Sequence, residues 1–191
     1  MSEGDVRERI LAEATRLFGE QGYGLTSVRD VARAVGVTNP TLYYHFGSKE
    51  GLYLEAIRVH QEAIYDRLVE VVNRPASVRE RIRAYVQVQF EATAANRSAA
   101  RLMMYANHRP ESGEPQVDMM SVHLKMEQLL GKLFAEGVAN GELRPDVEVI
   151  DGLMAVTGPV ILGCYAVVNQ LPTPDDLVDR IVDVIFRGLG A

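Results

Sequence analysis

Apolar residues recur along this chain at the three- and four-residue intervals of an amphipathic helix, whereas strand-like alternation never persists. Ile10, Leu11, Ala14, Leu17 and Phe18 form a first stripe, and Gly22 is expected to stop that helix. Ser27-Val28-Arg29-Asp30 fits a capping box. It opens a short helix through Val31, Ala32 and Val35, which Gly36 ends as a glycine just past a helix C-terminus. Thr38 can cap the next short helix, with Pro40 tolerated in a first turn whose N–H groups have no helical partner. Ser48 starts a long helix from Lys49 towards Asn73, its inner face marked by Leu52, Ala56, Ile57, Ile64, Leu68 and Val71.

Beyond Pro75, Ser77 and Glu80 form a second capping-box pair. Thr173-Pro174-Asp175-Asp176 places a cap, a first-turn proline and two acids at the start of the last helix. Further helices are predicted at 99–107, 116–139 and 147–169, the last kinked by Pro159, with loops at 110–115 and 141–145. The pattern predicts an all-α fold of about nine helices. Two domains are expected, 1–50 and 51–191.

Composition narrows the function. The 191 residues are 47% apolar and 24% charged, with a formal charge of −6, which excludes a uniformly basic nucleic-acid binder. Cys164 alone excludes an internal disulfide and a multi-thiolate zinc site. The acidic start lacks an apolar core, so no secretory signal is expected. The uncharged run Gly152 to Val168 has 17 residues and falls short of a membrane span of about 20. A soluble, cytoplasmic protein is expected, with no membrane partner and no cofactor.

The second and third helices are each under about ten residues, too short to be stable alone. Joined at Gly36-Val37-Thr38 they suit a helix-turn-helix, with an ordinary corner between two helices as the plainer alternative. Side-chain chemistry favours the former. In Asn39-Pro40-Thr41-Leu42-Tyr43-Tyr44-His45-Phe46, Leu42 and Phe46 can face inward while Asn39, Thr41, Tyr43, Tyr44 and His45 project outward. Amides and hydroxyls can read base edges, whereas phenols, imidazole and Lys49 suit phosphates. One tyrosine packed beneath Phe46, and a merely solvated His45, are the bland alternatives. From Gly24 to Lys49 the net charge is +2.

The runs Thr26-Ser27-Val28-Arg29-Asp30-Val31-Ala32, Gly36-Val37-Thr38 and Thr41-Leu42-Tyr43-Tyr44-His45-Phe46-Gly47-Ser48-Lys49-Glu50 closely resemble the tetracycline-repressor (TetR) family of bacterial transcription regulators. The resemblance covers about Arg7 to Ile57. It implies a ligand-responsive homodimer that binds a palindromic double-stranded DNA operator and is released by a small effector, a hydrophobic one as judged from the methionines between Phe90 and Met126. By the same resemblance Asn39, Pro40, Thr41 and Tyr44 face bases, and Thr26, Tyr43, His45 and Lys49 meet phosphates. Arg29 can reach either, and Ser27 and Thr38 complete the DNA-binding set. An activator or architectural factor without a ligand is the alternative; an enzyme is not expected, since no catalytic motif is present.

In the C-terminal half, five of the seven methionines fall between Phe90 and Met126. Methionine adapts its shape and suits promiscuous apolar surfaces, though it also fills cores. The expected effector pocket comprises Ile64, Leu68, Phe90, Met103, Met104, Tyr105, His108, Met120, His123, Met126 and Tyr165. No metal is expected, since His108 and His123 alone are a weak pair of ligands. Cys164, in an apolar helix, is read as a small buried hydrophobe. The last two helices are apolar around more than one face. The expected dimer contact is Leu153, Val160, Ile161, Val168, Ile181 and Ile185.

Overall fold

The computed structural model describes residues 3–107 and 114–191; His108 and most of the 110–115 loop lie outside the described residues. Among those described, nine α-helices follow in order. They are α1 (Glu3–Leu25), α2 (Val28–Val35), α3 (Asn39–Phe46), α4 (Lys49–Asn73), α5 (Val78–Ala95), α6 (Arg97–Asn107), α7 (Met119–Ala139), α8 (Val149–Val168) and α9 (Leu177–Leu189). No strand forms among the described residues; Leu143 and Gly190 make an isolated antiparallel bridge. The fold is all-α. Two units divide the chain, Met1–Ala63 with Asn96–Met119, and Ile64–Ala95 with Met120–Ala191.

In the first unit the expected punctuation operates. Ser27 Oγ accepts from the Asp30 N–H at 3.1 Å, and Gly36, at φ 77°, donates to the Ala32 and Arg33 carbonyls at 3.0 and 3.3 Å. Thr38 Oγ1 accepts from Thr41 N–H at 3.4 Å, and Ser48 Oγ from Gly51 N–H at 2.9 Å. Gly22 stops the first helix as expected: at φ 81° and ψ 168° it leaves helical geometry, and a separate helical turn follows the kink through Leu25.

Helices α1 to α4 and α6 share one core, in which Ile10, Ala14, Phe18, Val31, Leu42, Leu52, Ile57 and Leu102 are buried. Helix α6 comes close to α1: a Cβ on Gly19 would lie 2.1 Å from the Ser98 carbonyl oxygen. Only glycine admits that approach. Across the same unit Arg7 pairs with Glu55, whose carboxylate also accepts from Arg58 Nε at 2.7 Å. These guanidinium groups, Arg58 foremost, hold the Glu55 carboxyl at about 2. Its folded pKa lies below the unfolded value, so this stabilisation is present above the usual glutamate range and is lost as pH falls through about 2. Glu55→Gln should therefore unfold more readily than the parent at neutral pH, and the gap should close on acidification. Urea midpoints at about pH 7 and about pH 3 measure both.

In the second unit α5 packs against α8 and α9. Glycines set the spacing. A Cβ on Gly163 would meet the Phe90 ring at 2.3 Å, and one on Gly152 the Phe134 ring at 2.5 Å. Ile82, Val86, Leu130, Leu133, Phe134, Val156 and Val182 are buried here. Arg79 pairs with Asp183, and Arg83 Nε reaches Asp179 Oδ1 at 2.6 Å, tying α5 to α9. On α4, Val72 is buried where Val71 was expected; Val71 is half-buried.

Two helix starts depart from expectation. Helix α8 begins at Val149, with the Glu148 N–H donating to Asp151 Oδ2 at 3.2 Å, and continues as one α-helix through Pro159. Helix α9 begins at Leu177, after Thr173 and Pro174; Asp176 stands at its cap position without a side-chain cap bond, and its Oδ1 accepts from Arg180 Nε at 2.8 Å. Counted as a helix of 20 residues, Val149–Val168 is long and apolar enough to cross a membrane by length and composition alone.

Candidate nucleic-acid interface

Eight residues make α3, and the helix buries only two of them, Leu42 and Phe46. That inward pair fixes what the rest must do. Asn39 and Pro40 are exposed, Tyr43 is 48% exposed and Tyr44 76%, so neither tyrosine packs beneath Phe46. Thr41 is half-buried, its hydroxyl 2.9 Å from that of Thr38. His45 is half-buried and meets Tyr44 edge-on at 5.2 Å, which couples the two rings on one rim of the helix. Ser27 and Thr38 are exposed and each spends its hydroxyl on a cap.

Basic groups flank this face. Arg29 is exposed, and Arg33 pairs with Asp30 on the same helix. Lys49, at the start of α4, is half-buried with its ammonium 4.0 Å from the Tyr23 ring centre; burial pushes its pKa down. Thr26 requires a correction. It is 1% exposed and its hydroxyl donates to the Gly22 carbonyl at 2.9 Å, so the side chain secures the end of α1 and is withdrawn from phosphate contact. Sequence reasoning missed Tyr23. A tyrosine shortly after a helix-breaking glycine was the available signal, but its partner lies twenty-six positions away at Lys49.

The residues expected around an effector fall in different places. In the second unit Leu68 is buried, while Ile64, Phe90 and Met126 are half-buried; the Tyr85 hydroxyl donates to Met126 Sδ at 3.9 Å. Met120 and His123 are exposed on α7, and Tyr165 is exposed on α8. In the first unit Met103 and Met104 are half-buried, Met103 packing against that unit's core, and Tyr105 is exposed. His108 lies outside the described residues. Among the described residues no group of three or more His, Cys, Asp or Glu could hold a metal. Cys164 is buried, accepts from the Thr93 hydroxyl at 3.3 Å, and has its thiol pKa raised by burial.

Helix α8 has two faces of different fate. Gly152, Val156, Val160, Gly163, Cys164 and Val168 are buried in the unit's own core. Ile150, Met154, Ile161, Leu162 and Tyr165 are exposed on the other side. Of the six residues expected in a dimer contact, Val160, Val168, Ile181 and Ile185 are buried within the chain and have little surface left to offer. Leu153 is half-buried; only Ile161 is exposed.

A family profile for the helix-turn-helix part of "bacterial regulatory proteins, tetR family" matches residues 10–56, and a "tetracyclin repressor-like, C-terminal domain" profile matches residues 79–185. The chain belongs to the tetR family. It is a helix-turn-helix transcriptional regulator, and its relatives are regulators, not enzymes. Over 145 residues it is 28% identical to the transcriptional repressor KstR2 of Mycolicibacterium smegmatis, covering 75% of this chain and 70% of that protein. Among solved structures of the tetR fold, PfmR of Thermus thermophilus superposes with a TM-score of 0.74 at 26% identity, covering 97% of each chain. FadR of Bacillus subtilis, solved in complex with stearoyl-CoA, does so with a TM-score of 0.73 at 20% identity, covering 93% of this chain and 95% of that one.

Proposed function

We propose that this tetR-family regulator is a cytoplasmic repressor that binds a palindromic operator as a homodimer and releases it when a lipophilic acyl thioester binds. One observation carries the DNA-binding half of this proposal: α3 buries two residues and turns Asn39, Pro40, Tyr43 and Tyr44 outward at its accessible face. Asn39, Pro40, Thr41 and Tyr44 are assigned to base edges, Tyr43, His45 and Lys49 to the phosphate backbone, and Arg29 to either; Ser27 and Thr38 complete the DNA-binding set. The stearoyl-CoA bound to FadR supports a long apolar effector. Ile64, Leu68, Phe90 and Met126 are its proposed apolar contacts in the second unit.

Coupling is assigned to α4, which begins at the phosphate-contacting Lys49 and carries Ile64 and Leu68 some four to five turns later. A recognition helix in each half of a dimer must reach successive major grooves about 34–36 Å apart, so a small displacement of α4 suffices to release DNA. Coupling is reciprocal: operator must weaken effector binding by the factor, about 5–150, by which effector weakens operator binding. Titration calorimetry with stearoyl-CoA, with and without operator, measures this directly. Equal stearoyl-CoA affinity in both conditions overturns the coupling, and no binding in either overturns the effector class.

A further inference from the structure

The Lys49 ammonium, 4.0 Å from the centre of the Tyr23 ring and over its face, is held by a group that attracts a cation without neutralising it. A carboxylate in that place would cancel the charge that a phosphate needs. The ring itself is fixed. Tyr23 meets Tyr53 edge-on at 4.9 Å and stacks on Phe18 at 5.9 Å, and Phe18 and Tyr53 meet edge-on at 5.1 Å. Phe18 and Tyr53 are both buried in the core of the first unit, so the third ring rests on a base that cannot shift independently of the head. The chain reaches this position through Gly22, whose φ of 81° is open to glycine and strained for other residues. The break in α1 thus sets the direction in which Tyr23 leaves towards the start of α4.

We propose that Tyr23 is a positioning residue for DNA binding, its ring pre-ordering the Lys49 ammonium for a backbone phosphate. The proposal rests on the assignment of Lys49 as a phosphate contact. A lysine ammonium sits on a flexible four-carbon stem and loses much freedom when it is pinned to a phosphate. Held over a fixed ring, it has lost part of that freedom before DNA arrives, and the ammonium keeps its full charge for the incoming anion. Burial of Lys49 also removes some of its water in advance. The phenol oxygen has no part in this; the ring face is the functional element.

The test compares operator affinity over a series of salt concentrations for the parent, Tyr23→Phe, Tyr23→Leu, Lys49→Gln and the Tyr23→Leu/Lys49→Gln double variant. Tyr23→Phe should bind like the parent, and Tyr23→Leu about three- to tenfold more weakly. Lys49→Gln should lower the salt slope by about one, and the double variant should match Lys49→Gln alone. A Tyr23→Leu loss of equal size in both Lys49 backgrounds would reduce Tyr23 to packing, and an unchanged affinity would leave the ring idle; either result overturns the proposal. If Lys49→Gln changes neither affinity nor slope, the phosphate assignment fails and takes the proposal with it. A measurement on the parent protein needs no variant: the Lys49 Hε protons should be shifted upfield by the ring current, and an ordinary lysine shift overturns the placement.

Discussion

Leu162→Glu is expected to turn the proposed dimer into a folded monomer and to remove tight operator binding. Helix α8 carries no charged residue beyond Asp151, and its outward stripe sets Ile150, Met154, Ile161, Leu162 and Tyr165 along one side. Leu162 is 70% exposed and Met154 68%, so neither contributes much to the chain's own core. We assign this exposed apolar stripe as the association surface of the proposed dimer, since a two-fold axis makes one stripe complementary to its copy. Joining two DNA-binding heads raises affinity about 10²–10⁴-fold over one head, and a monomer forfeits that gain. Sedimentation of parent and variant, with thermal unfolding as a control, separates dissociation from misfolding. Ile185→Glu should behave differently, since Ile185 is buried within the unit and a carboxylate there destabilises the fold itself. A parent protein that sediments as a monomer at micromolar concentration would remove the dimer from the proposal.

The contrast between Leu162 and Ile185 shows where periodicity stops informing. A stripe of Val, Ile and Leu identifies a helix that buries more than one face, but it does not say which face the chain covers for itself. On α8 the decision lies in the glycines. Gly152 and Gly163 let the Phe134 and Phe90 rings come against one side, and that side becomes core. Without its neighbours Gly163 reads as a weak spot in a helix. Signals confined to a few consecutive residues were legible: the caps at Ser27, Thr38, Ser48 and Ser77 and the left-handed Gly36 depend on groups three or four positions apart. The outward set on α3 follows from the spacing of Leu42 and Phe46 in the same way. Contacts between distant segments were not legible. Nothing local to 97–107 announces that α6 packs on α1, and nothing at Thr26 distinguishes an exposed hydroxyl from one folded back onto Gly22. The methionine-rich window failed for the same reason: Met103 packs into one unit's core and Met120 is exposed in the other, though both obey the same helical spacing.

Asn39→Ala should cost about 1–3 kcal/mol on the operator while leaving binding to random DNA and thermal stability unchanged. Asn39 is the first residue of α3, directly after the Thr38 cap, and its side chain is exposed, so the amide is available to a base edge. A carboxamide is the group that can both donate to and accept from an adenine in the major groove, which is why its loss is felt only where that base is present. Tyr44→Ala should produce a loss of the same kind through the same face, since Tyr44 is the most exposed aromatic group on the helix. Lys49→Gln supplies the opposite pattern. A phosphate contact carries no sequence information, so specific and random DNA should suffer together and the dependence on salt should fall by about one ion. Thr26→Ala supplies a third pattern, lower stability with an unchanged salt slope, because its hydroxyl serves the end of α1. Fluorescence anisotropy with operator and scrambled duplexes across a salt series distinguishes all three. If Asn39→Ala loses equally on both duplexes, Asn39 belongs to the phosphate backbone, and base reading by this helix would fall to Thr41 and Tyr44.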